Sequence, residues 1–216
     1  MGVNLINELH TTVSEEEKKE ILTELKGNLR KIHEHGKRAD GIVKSMLEHT
    51  HIGNSEKRAT DINNMANEFY TLAYQSFRAK EPEFTCQVEK QFAPDLPHPN
   101  VNPQDMSRVM INLFNNAIYD LNKKRSAENN FQPRIKLLSE MNGNKIIFSV
   151  HDNGNGIAED IRDKIFQPFF TTKSSGEGTG LGLSLSHDII TQGHGGTLEV
   201  KTVVGQESEF IITLPV

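Results

Sequence analysis

Tryptophan is absent from this 216-residue chain, cysteine occurs once, and no apolar run approaches the ~20 residues that a membrane-crossing helix needs. A lone Cys86 forms no internal disulfide and has no second cysteine with which to make a zinc pair, so it reads as a packing residue. The N-terminal stretch MGVNLINELHTTVSEEEKKE holds neither the apolar core nor the cleavage site of a secretion signal. A cytoplasmic location without membrane contact is the expectation. A basic excess is also missing: the net charge is -5, which leaves no electrostatic footprint for nucleic acid. What the chain does have is 35% hydrophobic and 25% charged residues, over a length that suits one α/β core with an appended helical element.

The appended element comes first. From Ile21 to His49 there is no proline, and small or apolar residues fall at Leu22, Leu25, Leu29, Ile32, Gly36, Ala39, Val43 and Met46, in alternating steps of three and four. That rhythm lays one seam along a helix for a partner helix and predicts a homodimer. Ser14 followed by Glu15, Glu16 and Glu17 supplies a cap and acidic charge for the positive end of the helix dipole, so the helix starts near Ser14. Gly53-Asn54-Ser55 marks a break, dividing the chain into a partial helical segment, 1–52, and a globular domain, 53–216. In the domain, helices are expected over 60–79, 103–123 and 181–192. Strands are expected over 84–92, 134–140, 145–151, 197–202 and 209–214, with Asn142-Gly143 as a hairpin turn. Strands that alternate with helices yet include hairpins predict an α+β fold, a two-layer α/β sandwich preceded by a long N-terminal helix, and argue against a wholly parallel doubly wound sheet.

Three short segments carry residue types suited to chemistry. Asn112 and Asn116 lie one helical turn apart on one face. Neutral amide oxygens there can ligate a hard cation such as Mg2+, which needs few protein ligands when phosphate and water fill its other positions. Taken alone, the pair reads as polar packing. In His151-Asp152-Asn153-Gly154-Asn155-Gly156-Ile157, a carboxylate at a strand end can accept a hydrogen bond from an adenine amine, and the glycines permit close ligand approach. Taken alone, it reads as a tight turn. Gly178-Thr179-Gly180-Leu181-Gly182, with Gly176 before it, opens a helix whose free amides can cradle phosphate, but no strand precedes it, which disfavours a dinucleotide fold. Between the last two segments come Phe166, Phe169 and Phe170, then Thr171, Thr172 and Lys173, then a Ser-Ser-Gly-Glu-Gly stretch. That is the pattern of an aromatic-anchored lid with a lysine able to reach phosphate.

In this order the segments resemble the N, G1, F and G2 boxes of the catalytic domain of histidine kinases, within the ATPase superfamily shared with gyrase, MutL and the heat-shock ATPase. The resemblance covers about 60–216, and NLRKIHEHGKRADGIVKSMLEHT is similar to the second helix of the dimerisation and phosphotransfer hairpin of such kinases. It implies ATP and Mg2+ as cofactors, bound by Asn112, Asn116, Asp152, Gly154, Gly156, Ile157, Phe169, Thr172, Lys173, Gly178, Thr179, Gly180, Leu181 and Gly182. By the same likeness Asn116 holds the metal and Asp152 reads adenine. Gly154 and Gly156 shape the base pocket, Gly178, Gly180 and Gly182 line the phosphates, and Lys173 belongs to the lid. The implied activity is transfer of the ATP γ-phosphoryl to a histidine, for relay to a response regulator receiver domain.

Two departures qualify the likeness. No histidine stands in the acceptor context: His10, His33 and His35 lie in the N-terminal segment, and His187 and His194 in the domain. No acceptor is assigned, and the chain is expected to be incomplete, binding ATP without autophosphorylating efficiently. Tyr119 stands three positions after Asn116, where relatives often carry a basic residue. Strong ATP hydrolysis is not expected either, because Asn112 occupies the place of a water-polarising glutamate and an amide is no general base. The alternative reading is a non-catalytic nucleotide-sensing or scaffold module with the same fold.

Overall fold

The computed structural model describes residues 14–49, 56–174 and 178–216. The expected break at Gly53-Asn54-Ser55, the 52/53 boundary, His10 and Gly176 lie outside them. Two compact units form: one holds the long helix through Leu47 with the described part of 171–179, and the other holds the remaining described residues. Among the described residues, no helix is long and apolar enough to cross a membrane.

In the first unit, helix α1 spans Glu15–His49. Its start follows from the sequence: the Ser14 backbone amide and hydroxyl both donate to the Glu17 carboxylate at 2.8 Å, and the Glu17 amide returns a bond to the Ser14 oxygen at 3.3 Å. This reciprocal pairing is a capping box. Of the predicted seam, Leu22, Leu29 and Ile32 are 51, 57 and 64% exposed, so in a single chain these apolar side chains have no cover.

The second unit is built on helix α3, Pro103–Ala127. Asn102 caps it, accepting from the Gln104 amide at 3.0 Å, and Pro103 sits at the first turn, where its missing N–H costs nothing. Met106, Val109, Met110, Leu113, Phe114, Ala117, Ile118 and Leu121 repeat at steps of three and one, and all are buried. This broad apolar face packs against helix α2 (Ile62–Arg78), where Tyr70 meets Phe114 edge-on at 5.7 Å. It also packs against a five-stranded sheet. The strands, with two-residue β1 (Arg58–Ala59) and β3 (Asn100–Val101) set apart as their own small sheet, are β2 (Gln87–Phe92), β4 (Arg134–Asn142), β5 (Lys145–Asp152), β6 (Thr197–Val203) and β7 (Glu207–Pro215). The order is β2-β4-β5-β7-β6, antiparallel except for the β2–β4 pair, which α3 connects.

Period-two burial puts Ile135, Leu137, Phe148, Val150, Phe210 and Ile212 on the helix-covered face. On the opposite face the register aligns Glu89, Lys136, His151, Glu209 and Lys201 in one row, which sets Glu89 beside Lys136 and Glu209 between His151 and Lys201. The result is the expected α+β two-layer sandwich with a long N-terminal helix. Phe84 and Cys86, expected within a strand, precede it, and β2 begins at Gln87. Burial pushes the Cys86 thiol up to about 11, which fits packing rather than reactivity.

The predicted 181–192 helix is two pieces: α5, Gly182–Asp188, and a π-helical continuation, Ile189–Gly193. A short α4, Glu159–Arg162, precedes them. The π segment ends on buried His194, whose Nδ1–H donates to the Ile189 carbonyl at 2.8 Å while Nε2 accepts the Asn102 amide at 2.9 Å. This neutral ring ties the start of α3 to the end of the π turn, and burial holds its pKa below the usual 6.5. The unfolded chain binds the extra proton more readily, so stability from this group is full above 6.5 and is lost as pH falls through its lower folded value. In denaturant melts, His194→Leu is expected to cost about 1–3 kcal/mol at pH 8, the penalty of stranding a buried amide, and to lose part of the acid-side slope. An unchanged slope would mean that another group senses the proton.

Candidate functional site

Helix α3 places a polar group at every fourth position along one stripe: Asn112, Asn116, Asp120 and Lys124. Asn112 grips the start of α5, and Asp120 and Lys124 together grip the turn after β5. The Asn112 amide donates to the Gly182 carbonyl at 3.2 Å and to the Ser186 hydroxyl at 3.4 Å, fixing the first turn of α5 against α3. Asp120 accepts from the Asn155 backbone amide and, at 2.9 Å, from its side chain. Lys124, buried, donates to the carbonyls of Asn153, Gly154 and Gly205 at 3.1, 2.8 and 2.9 Å. Asn116 is half-buried within the same stripe, and Asn115 is turned outward.

The loop so held follows β5. Asp152, the last residue of that strand, is 2% exposed and accepts from the Gly154 amide at 2.9 Å. Desolvation raises its carboxyl to about 7; the Gly154 bond and the Lys124 charge pull it down, while Asp120 and Glu207 push it up. Two glycines keep this turn tight. A Cβ on Gly154 would run into the Asp120 and Asp152 carboxylates, and one on Gly156, itself at φ +67, would collide with the Val203 main-chain carbonyl. The half-buried Ile157 packs on the core and donates its amide to Thr202 Oγ1 at 2.8 Å, which passes a bond to the Glu207 carbonyl at 2.9 Å. Thr202 pairs with Ser208, and Ser208 with Asp152, so one buried row crosses the sheet beneath the loop.

The two ends of the predicted lid meet within this unit. Phe169 and Gly180 both adopt left-handed backbone, φ +68 and +72, and a Cβ on Gly180 would collide with the Phe169 carbonyl group. Phe169 is half-exposed, whereas Phe166 and Phe170 pack on the core and Leu181 is buried. In the other unit, the Lys173 amide donates to Thr171 Oγ1 at 3.1 Å, a Cβ on Gly178 would lie 2.7 Å from that oxygen, Thr172 is exposed and Thr179 half-buried.

Sequence reasoning thus singled out Asn112, Asn116, Asp152, Gly154, Gly156, Ile157, Phe169, Gly180, Leu181 and Gly182, which the second unit assembles around α3, β5 and α5. It missed Asp120, Lys124 and Thr202. A signal existed for the first two, since they continue the four-residue stripe that Asn112 and Asn116 begin.

A carboxylate kept dry at a strand end suits a base carrying an amino group, and a helix offering neutral amides alongside suits the phosphate end of the same molecule. The class is that of ATP-binding α+β sandwich domains. The chain belongs to the histidine kinase-, DNA gyrase B- and HSP90-like ATPase family, which matches residues 101–216. It is similar to the sensor histidine kinase ZraS of Escherichia coli (strain K12), 33% identical over 83% of this chain and 35% of ZraS. It is also similar to the signal transduction histidine-protein kinase AtoS of the same strain, 28% identical over 81% of this chain and 26% of AtoS. The chain therefore spans about a third or less of these relatives. Among solved structures, the catalytic domain of the histidine kinase ThkA, nucleotide-free, superimposes with a TM-score of 0.60 at 29% identity, covering 74% of this chain and 96% of that one. Full-length ShkA with AMPPNP shares the fold, with a TM-score of 0.64 at 23% identity over 95% of this chain and 40% of that one.

Proposed function

We propose that this chain is the ATP-binding kinase module of a two-component sensor histidine kinase, passing the γ-phosphoryl of ATP to a histidine that its own sequence does not supply in recognisable context. The observation that carries the reading is Asp152, a carboxyl only 2% exposed at the end of β5, beside Gly154 and Gly156, the second of which leaves no room for a side chain. Burying such a group is costly unless a donor reaches it, and an adenine amine is a donor of the right shape.

In this reading the module positions the reactants. Asp152 orients the base, and Asn112 secures the helix whose opening residues Gly180 and Gly182 face the phosphates. Lys173, Thr172, Gly178 and Thr179 form the lid, and Phe169 anchors it. The P–O bond to the β-phosphate breaks, ADP leaves with the electron pair, and a neutral imidazole nitrogen of the acceptor forms the new P–N bond. Asn116, half-buried on the α3 stripe beside Asn112, suits a Mg2+ that arrives with nucleotide and takes few protein ligands. Asn116 would give it one amide oxygen, and Mg2+ when bound offsets phosphate charge. The partners that follow are a second copy, through the α1 seam of Leu22, Leu29 and Ile32, and a response regulator receiver domain. Residues 1–52 then serve association and 53–216 catalysis, in a cytoplasmic setting.

The test is transfer from γ-labelled ATP with Mg2+, with the chain alone and with a helix bearing an acceptor histidine supplied in trans. Label is expected on the supplied histidine alone, and Asn116→Ala is expected to slow transfer on the order of a hundredfold, as loss of metal-offset charge costs several kcal/mol. ATP bound without any transfer would move the assignment to a non-catalytic nucleotide-sensing or scaffold module with the same fold.

A further inference from the structure

We propose that Lys124 is a positioning residue for the base-binding end of the site: by tying together three main-chain carbonyls, it holds the turn after β5 in the arrangement that presents Asp152 and its glycine cradle to adenine. This deepens the reading of Asp152 given above and rests on it. An ammonium has three N–H donors, and Lys124 spends them on Asn153, Gly154 and Gly205, which come from two separate chain segments. The Phe131 ring lies 4.9 Å from the nitrogen and closes the remaining side. One turn earlier, Asp120 takes the Asn155 amide, so α3 offers a donor to the carbonyls and an acceptor to the amide of the same short turn.

Those contacts fix the peptide planes on either side of Gly154. With the Asn153 carbonyl committed to Lys124, the Gly154 amide in the same peptide plane is directed at Asp152 Oδ1. The Gly205 amide donates to the Asn155 carbonyl, joining the β6–β7 hairpin tip to the same turn. Remove the ammonium and three carbonyls lose their common partner, leaving the planes free to rotate. Lys124 also bears on whether Asp152 ionises. The titratable groups facing Asp152 are Asp120 and Lys124 from α3, Glu207 from β7 and Cys86 ahead of β2, and Lys124 is the cation among them.

The experiment is calorimetric titration of the full chain with ADP between pH 6 and 9, in parallel with inorganic tripolyphosphate plus Mg2+, which probes the phosphate end alone. Lys124→Met is expected to weaken ADP about tenfold, the scale of one charged hydrogen bond, and to leave tripolyphosphate unchanged. It is also expected to move the acid-side midpoint of ADP binding to higher pH, whereas Asp120→Asn, which removes a negative neighbour, moves it lower. The titration of ADP itself is common to all variants and cancels. Lys124→Gln replaces Lys124→Met if the latter does not fold. Folded variants with unchanged ADP affinity and midpoint, or with ADP and tripolyphosphate weakened equally, overturn the proposal. Failure of the unsubstituted chain to bind ADP at all overturns instead the nucleotide reading on which it rests.

Discussion

Replacing Asp152 with asparagine is expected to weaken ADP binding about tenfold to a hundredfold and, at pH 8, to raise the melting temperature at the same time. The two effects share one cause. Burial lifts this carboxyl from 3.8 to about 7, so above that value the folded protein holds an ionised group that the dry strand end disfavours. A folded pKa above the unfolded one means that the group favours folding fully below 3.8 and that this advantage is gone once pH rises through about 7. Asparagine keeps the acceptor oxygen for the Gly154 amide but carries no charge, so it escapes the penalty at pH 8. Each kcal/mol regained moves the midpoint by roughly 2–4 °C in a chain of this size. As pH falls from 8 the gap is expected to narrow, and it closes only below about 3.8, where the carboxyl is protonated in both the folded and the unfolded chain. What asparagine loses is the charge-assisted bond to an incoming amine. Unchanged affinity with lowered stability at pH 8 would make Asp152 a structural carboxylate and remove it from the site.

Gly156→Ala carries the second large expectation: a loss of about 3–5 kcal/mol of stability, with nucleotide binding lost in step. Gly156 combines φ +67, costly for any residue with a Cβ, with direct approach to a main-chain carbonyl, Val203, that cannot turn aside as a side chain would. Gly143, in the Asn142-Gly143 hairpin, separates the two contributions, because its φ is +62 and nothing lies within 4 Å of its Cβ position. Gly143→Ala is therefore expected to cost only the conformational part, about 1–2 kcal/mol, and to leave ADP affinity as it was. Thermal melts and ADP titration of both variants decide the matter; equal costs would show that crowding at Val203 contributes nothing.

Much of this architecture is written in local patterns. Pro103 and the apolar rhythm from Met106 to Leu121 define α3 from sequence, and Asn142-Gly143 defines the β4–β5 hairpin. What stayed hidden depends on partners far along the chain. Strands β1 and β3 are two residues each and exist only because Arg58 pairs with Val101. The π continuation after Asp188 leaves no mark in the periodicity, since Ile189 and Ile190 suit an α-helix equally well. At the candidate site, the turn after β5 was legible from Asp152, Asn153 and Gly154, whose residue types mark a tight turn. Lys124 was not: within Lys123-Lys124-Arg125 it looks like a solvated charge, and only the fold brings three carbonyls to it from Asn153, Gly154 and Gly205. A basic run gives no sign of which member turns inward.

The meeting of Phe169 and Gly180 has a consequence for how this family member can change. With both ends of the intervening segment already held side by side by the fold, its closure entropy is a small and slowly growing quantity, such that doubling its length costs only ~0.6 kcal/mol. Insertions and deletions there are nearly neutral for folding, while the same changes between Asp152 and Gly156 would break the cradle. Changes in the length of this segment therefore call for no compensating change in the core.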